Sequence, residues 1–174
     1  YDIHAENVSL RGMQRVAEST KTKQNITVRQ GDLKNFDREV QVVREVYNQA
    51  WSRNWGFVPM TEEELAFAAA DMKAIIDPRL LVFAEQNGRP VGFALSLPDI
   101  NLALTHLDGR LFPFGWAKFL WHKRKIHSLR VITLGVIPEF ARRGAAQILF
   151  YETIRRGIDS GYPHAEISWV LENN

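Results

Sequence analysis

Cysteine is absent from these 174 residues, so no disulfide can form and no thiolate can hold a metal. Long apolar runs are missing too. The longest, such as Leu80 to Ala84, are strand-sized and far below the ~18 residues of a membrane-spanning helix. The opening residues lack the charged, apolar, small-residue layout of a signal peptide. Charge of one sign is scarce: 22 Lys and Arg stand against 20 Asp and Glu, a formal net charge of +2. That balance offers no broad basic stripe for nucleic acid. No His, Asp or Glu grouping has metal-ligand spacing, so no metal is expected. Together these absences fit a cytoplasmic enzyme.

What is present suits one α/β domain. Apolar residues make up 45% of the chain, enough for a proper core. Leu10, Met13, Val16 and Ala17 recur at helical spacing and predict a polar helix over 9–21. A strand follows at 25–29. A helix over 36–51 carries the stripe Val40, Val43, Val46, Tyr47 and Ala50. Thr61 and Glu64 form a capping box that opens a helix expected to run to Ile76, before Asp77-Pro78. Asn87-Gly88 supplies the two positive φ angles of a tight hairpin within residues 80–97. An aromatic insertion at 98–128 is expected to hold short helices near 101–107 and 114–125. Then come a buried strand at 129–136, a helix at 144–160 and a strand at 165–171. Hairpin strands plus a strand–helix–strand crossover imply a mixed sheet with its last two strands parallel.

The chemistry concentrates at Leu134-Gly135-Val136-Ile137-Pro138-Glu139-Phe140-Ala141-Arg142-Arg143-Gly144-Ala145-Ala146. A strand ends, a loop turns, and a helix begins with small residues. The first amides of a helix lack intrahelical acceptors, and the dipole adds positive potential there. Small side chains let a phosphate approach, while Arg142 and Arg143 add charge at the rim. An ordinary tight strand-to-helix turn would use the same small residues. Neither a Walker loop nor a Gly-x-Gly-x-x-Gly fingerprint is present.

The pattern V-x-P-E-(aromatic)-x-x-x-G-x-(Gly/Ala) after a strand resembles the acyl-CoA signature of the GNAT superfamily, usually Gln/Arg-x-x-Gly-x-Gly/Ala. Gly144 and Ala146 match its fourth and sixth positions; Ala141 departs from its first. The resemblance covers about Ile26 to Asn174. It implies an α/β fold of the α+β mixed-sheet kind, GNAT-like and C-terminally incomplete, with acetyl-CoA as co-substrate. By resemblance, the amides of Arg142, Arg143, Gly144, Ala145, Ala146 and Gln147 hold the pyrophosphate. The backbone of Leu134 and Val136 pairs with the pantetheine arm where the strands at 129–136 and 165–171 splay apart, Gly135 suiting a bulge. Asn174 matches an asparagine that contacts that arm. Because loop amides do most of the binding in the family, Ala141 implies weakened rather than abolished affinity. Phrases such as YNQAWSRNWGFVPMTEEEL and ISWVLENN resemble the C-terminal half of bacterial proteins with two GNAT-like copies. Residues 1–24 then read as the tail of a preceding domain and a linker helix, and 25–174 as the acetyl-CoA-binding domain. Both ends read as cut.

The implied reaction is direct attack of a primary amine, on a small molecule or peptide, upon the acetyl thioester. It needs a base or water chain and an oxyanion donor. Some relatives carry a glutamate base where this chain has Arg130. Glu166 and Glu85 are the remaining nearby carboxylates, each also readable as structural. The usual tyrosine acid lies on a helix after Asn174. Tyr151 reads as packing, and His164 as a strand-edge residue or a proton relay. Arg53, Asn54, Trp55 and Phe57 are the acceptor-binding candidates; Trp55 and Phe57 could equally anchor their loop in the core. The aromatic insertion could lid the site, touch a membrane surface or pack on a sister domain or second copy. A non-catalytic module for acyl-CoA binding or domain packing is the rival reading.

Overall fold

The computed structural model describes residues 2–4, 9–73, 75–99 and 126–167. Its backbone is one mixed sheet of six strands, ordered β1-β6-β5-β4-β3-β2. The strands are β1 (Asp2–His4), β2 (Ile26–Gln30), β3 (Leu81–Gln86), β4 (Arg89–Pro98), β5 (Ser128–Val136) and β6 (His164–Ile167). Among the described residues only β5 and β6 pair in parallel, as the crossover between them requires. The expected helices of the aromatic insertion lie outside the described residues.

Among the described residues five α-helices flank this sheet: α1 (Leu10–Gln24), α2 (Phe36–Trp51), α3 (Glu62–Met72), α4 (Pro138–Ala141) and α5 (Ala145–Asp159). The strand period of two sorts them into layers. A Cβ on Gly92 would meet Leu149 of α5, whereas a Cβ on Gly135, opposite Phe93, would meet the Trp51 ring of α2. Thus α2 and α3 cover one face of the sheet, and α5 with α1 against it covers the other. Phe83, Phe93, Val82, Val91 and Leu149 form the fully buried centre between them.

Local chemistry explains the boundaries. Glu64 donates its amide to the Thr61 hydroxyl at 3.2 Å, and the Thr61 amide reaches the Glu64 carboxylate at 3.0 Å, so the capping box is complete. α3 ends at Met72 rather than Ile76, and Asp77, directly before a proline, caps the one-turn 3-10 segment Pro78–Leu80. Asn87 and Gly88 take φ of 53° and 77°, the pair that a primed hairpin turn needs.

Residues 10–24, read from sequence as a linker helix, lie along α5. Ala17 is buried there, and Lys21 Nζ sits 2.7 Å from Glu152 Oε1. Backbone pairing also adds β1 antiparallel to β6.

Candidate functional site

β5 leads directly into the small-residue turn. Ile137 donates its amide to the Val91 carbonyl, and Pro138 opens the single-turn helix α4. Arg143 and Gly144 donate their amides to the carbonyls of Phe140 and Ala141. Those two donors, expected to serve an anion, are therefore spent inside the turn. The amides of Ala145, Ala146 and Gln147 have no acceptor among the described residues, as the first turn of α5 dictates.

Gly144 caps α5 at φ +86°, and a Cβ there would lie 2.8 Å from the Thr20 methyl of α1. A larger residue would push into both α1 and the space before the free amides. Arg142 is exposed with no ionic partner among the described residues. Arg143 instead leans over the Phe140 ring and reaches Glu139 at 3.5 Å. These features fit a pyrophosphate: unfilled donors at a helix start, room kept by Gly144 and Ala145, and one free cation.

The bulge of β5 is not at Gly135. Leu95 pairs with Thr133 but Ser96 pairs with Val131, so Ile132 is the extra residue. Gly135 is regularly paired with Phe93, and its missing side chain admits the Trp51 ring, 2.6 Å from an added Cβ. Leu134 and Val136 pair with Ala94 and Gly92 on the β4 side. The described part of β6 ends at Ile167, opposite Val131. The expected splay beyond that point, and Asn174, lie outside the described residues.

On the opposite face of the sheet is a cavity of about 230 Å³. Helix α2 lines it with Phe36, Val40, Val43 and Tyr47, and α3 with Leu65, Ala68, Ala69 and Met72. Its floor is Leu81, Phe93 and Leu95, and the bulged pair Ile132 and Thr133 completes the wall on β5. The inward positions of both helices repeat at three and four residues. From sequence, Val40, Val43 and Tyr47 read as part of an apolar stripe; in the structure Val43 and Tyr47 pack, partly buried, against the core, and all three also line this cavity. The signal available was α3, whose inward face turns small at Ala68 and Ala69 where a core helix would carry leucines.

Among the described residues, Glu39 is the one charged member of that lining. Its carboxylate accepts from Arg29 at 2.6 and 3.0 Å and from the Asp32 amide at 3.1 Å. Arg29 also holds Glu85 at 2.6 Å. Burial opposes the Arg29 charge, but these two carboxylates outweigh it and raise the guanidinium pKa. Glu85 thus belongs to a network at the β2–β3 edge. Glu166 is bonded to Arg130 at 2.8 Å, and Arg130 also lies 3.8 Å from Asp99. The structure does not bring either carboxylate to the turn before α5.

The loop after α2 leaves Arg53 and Asn54 exposed and Trp55 fully so. Phe57 is half-buried against Tyr47, with ring centroids 5.9 Å apart. Of the four acceptor candidates it alone, among the described residues, leans on a ring of the cavity wall. Tyr151 is buried within α5, and His164 stands exposed at the start of β6. Among the described residues no group of three His, Asp or Glu could hold a metal, and no helix is long and apolar enough to cross a membrane.

The sequence profile of the acetyltransferase (GNAT) family matches residues 40–174. The chain belongs to that family. It is 40% identical over 155 residues to a bacterial ceramide synthase of Caulobacter vibrioides, covering 86% of this chain. It is 38% identical over 162 residues to the protein YghO of Escherichia coli, covering 87%. The chain spans 40% of the length of each of these curated relatives. Among solved structures, a GNAT acetyltransferase from Brucella melitensis in complex with acetyl-CoA superposes with a TM-score of 0.57 at 13% identity. That match covers 86% of this chain and 79% of the other, and it shows the shared fold.

Proposed function

We propose that the protein transfers the acyl group of a coenzyme A thioester, acetyl-CoA in the first instance, to the primary amine of a small-molecule or peptide acceptor. The observation that carries this reading is the start of α5. Three unfilled amides follow the Gly144 cap directly at the end of β5, with Arg142 beside them. Such a helix start favours a bound phosphate by charge and by geometry. The family's bond-forming chemistry agrees: the Caulobacter relative is named a ceramide synthase, and a ceramide is by definition an N-acyl amide.

When bound, the thioester supplies an activated acyl carbon. In this reading Ala145, Ala146 and Gln147 bind the pyrophosphate by their amides. Leu134 and Val136 orient the arm through the β5 backbone, and Asn174 contacts the same arm. The attacking amine must lose a proton. Glu85 and Glu166 are tied to Arg29 and Arg130, so the reading assigns that proton to solvent rather than to either carboxylate.

A second reading, acyl-CoA binding without catalysis or packing against a sister domain, draws support from Arg130. It stands where some family members carry a glutamate, and it is occupied by Glu166. Calorimetry with acetyl-CoA and thiol release across an amine panel, both on the full-length protein, separate the two. Heat together with thiol release supports transfer. Heat without release above background selects the binding module. Absence of heat, with no added exchange protection at 142–147, removes both acyl-CoA readings.

A further inference from the structure

The cavity between α2, α3 and the sheet is too large to be a packing defect. Its volume of about 230 Å³ far exceeds the ~10–15 Å³ that one water needs, and it is partly open to the surface, so a ligand can enter. Protein cores are close-packed, with few voids larger than a water. Sequence keeps this one open: between Leu65 and Met72 the inward positions of α3 are Ala68 and Ala69. Polar ligands find little here. Glu39 is consumed by Arg29 and the Asp32 amide, which among the described lining residues leaves the hydroxyls of Tyr47 and Thr133. The lining of α2 from Phe36 to Tyr47 extends about 16 Å at 1.5 Å per residue. An extended alkyl chain of roughly a dozen carbons has that length. The wall at Ile132 and Thr133 precedes Val136 on β5 by about 10 Å, so the cavity adjoins the strand that leads to the phosphate cradle.

We propose that this cavity seats a long aliphatic chain, so that one of the two substrates is a single-chain lipid. The chain chemistry is the same whether it arrives on the amine or on the thioester. The inference rests on the transferase reading for the reaction, and on the cavity alone for the chain.

Two arms on the full-length protein distinguish the sources, with all probes below their micelle concentrations. In the first, acetyl-CoA is the donor and the amines run from butylamine to hexadecylamine. In the second, ethanolamine is the acceptor and the thioesters run from acetyl-CoA to hexadecanoyl-CoA. In one arm kcat/KM is expected to rise about three- to fourfold per added methylene until the cavity is full, as burial of a CH₂ implies. The gain from a four- to a twelve-carbon chain then exceeds a hundredfold. A rise with amine length places the chain on the acceptor, and a rise with thioester length places it on the donor. A flat profile in both arms of a working enzyme overturns the proposal. Ala69→Trp and, as a second variant, Ala68→Phe fill the cavity; thermal melting verifies that each is folded. In a folded variant the long-to-short ratio should fall at least tenfold, and an unchanged ratio counts against the cavity. If no pair of substrates turns over, the transferase reading fails, and calorimetry with dodecylamine and dodecanoyl-CoA then reads the cavity by itself. Saturable binding that a folded Ala69→Trp abolishes supports it; no saturable binding of either probe refutes it.

Discussion

Gly144 carries two demands at one position. Its φ of +86° lies in the left-handed region, and the Thr20 methyl stands 2.8 Å from where a Cβ would be. Alanine would meet the backbone penalty and the overlap together, each on the order of 1–2 kcal/mol. Gly144→Ala is therefore expected to destabilise the protein by about 2–3 kcal/mol in urea unfolding. Acetyl-CoA affinity should fall as well, since the turn before the free amides must shift. Gly135 is a different case with regular backbone, small only because Trp51 lies against it. From sequence Gly135 suggests a strand bulge, which its regular pairing with Phe93 does not bear out. The Gly144 role was legible because a helix start follows it, whereas Gly135 depends on a ring 84 positions earlier in the chain.

At the scale of elements, legibility follows locality. α2 begins at Phe36 and ends at Trp51 as its apolar period predicts, and Asn87-Gly88 turns the hairpin where its backbone preferences dictate. The α3 capping box was equally readable, since its partners sit three residues apart. Thr61→Ala removes the hydroxyl that accepts the Glu64 amide, and should cost about 1 kcal/mol in chemical denaturation. Thr61→Ser should recover most of that loss. The bulge at Ile132 was not legible. It arises from register against β4, and strand period alone could not distinguish it from one at Gly135. The emptiness beside α3 escaped for the same reason: an apolar stripe states which face is buried, and its partner decides whether that face is filled.

Across the whole molecule, the layer of α1 on α5 depends on Glu152. Burial would raise its carboxyl pKa, but hydrogen bonds from Lys21, Arg155 and Arg156 outweigh burial and hold it down to about 2. A folded-state pKa below the ordinary value stabilises the fold above about pH 4.5, and that stability is lost as the pH falls toward 2. Glu152→Gln is expected to lower stability at pH 7 and to flatten its pH dependence between about 4.5 and 2, read from urea midpoints along that series. A wild-type steepness in the variant would place the acid-sensitive group elsewhere. The sequence shows the apolar face of a helix over 9–21, but Lys21 and Glu152 lie too far apart in the chain for local spacing to pair them.

That same tie has a consequence for the order in which the chain becomes competent. Lys21 and Glu152 are 131 positions apart. Closing so long a loop is entropically slow, and local elements form before it. During synthesis α1 emerges early and waits for α5, while the β3–β4 hairpin, whose partners are neighbours, can assemble meanwhile. Thr20 reaches Gly144 only when α1 docks, so the turn that presents the α5 amides is braced at the end of folding. A nascent chain can thus hold most of its sheet while the turn before α5 is still unset, and any ligand that binds only the docked form would draw that last step to completion.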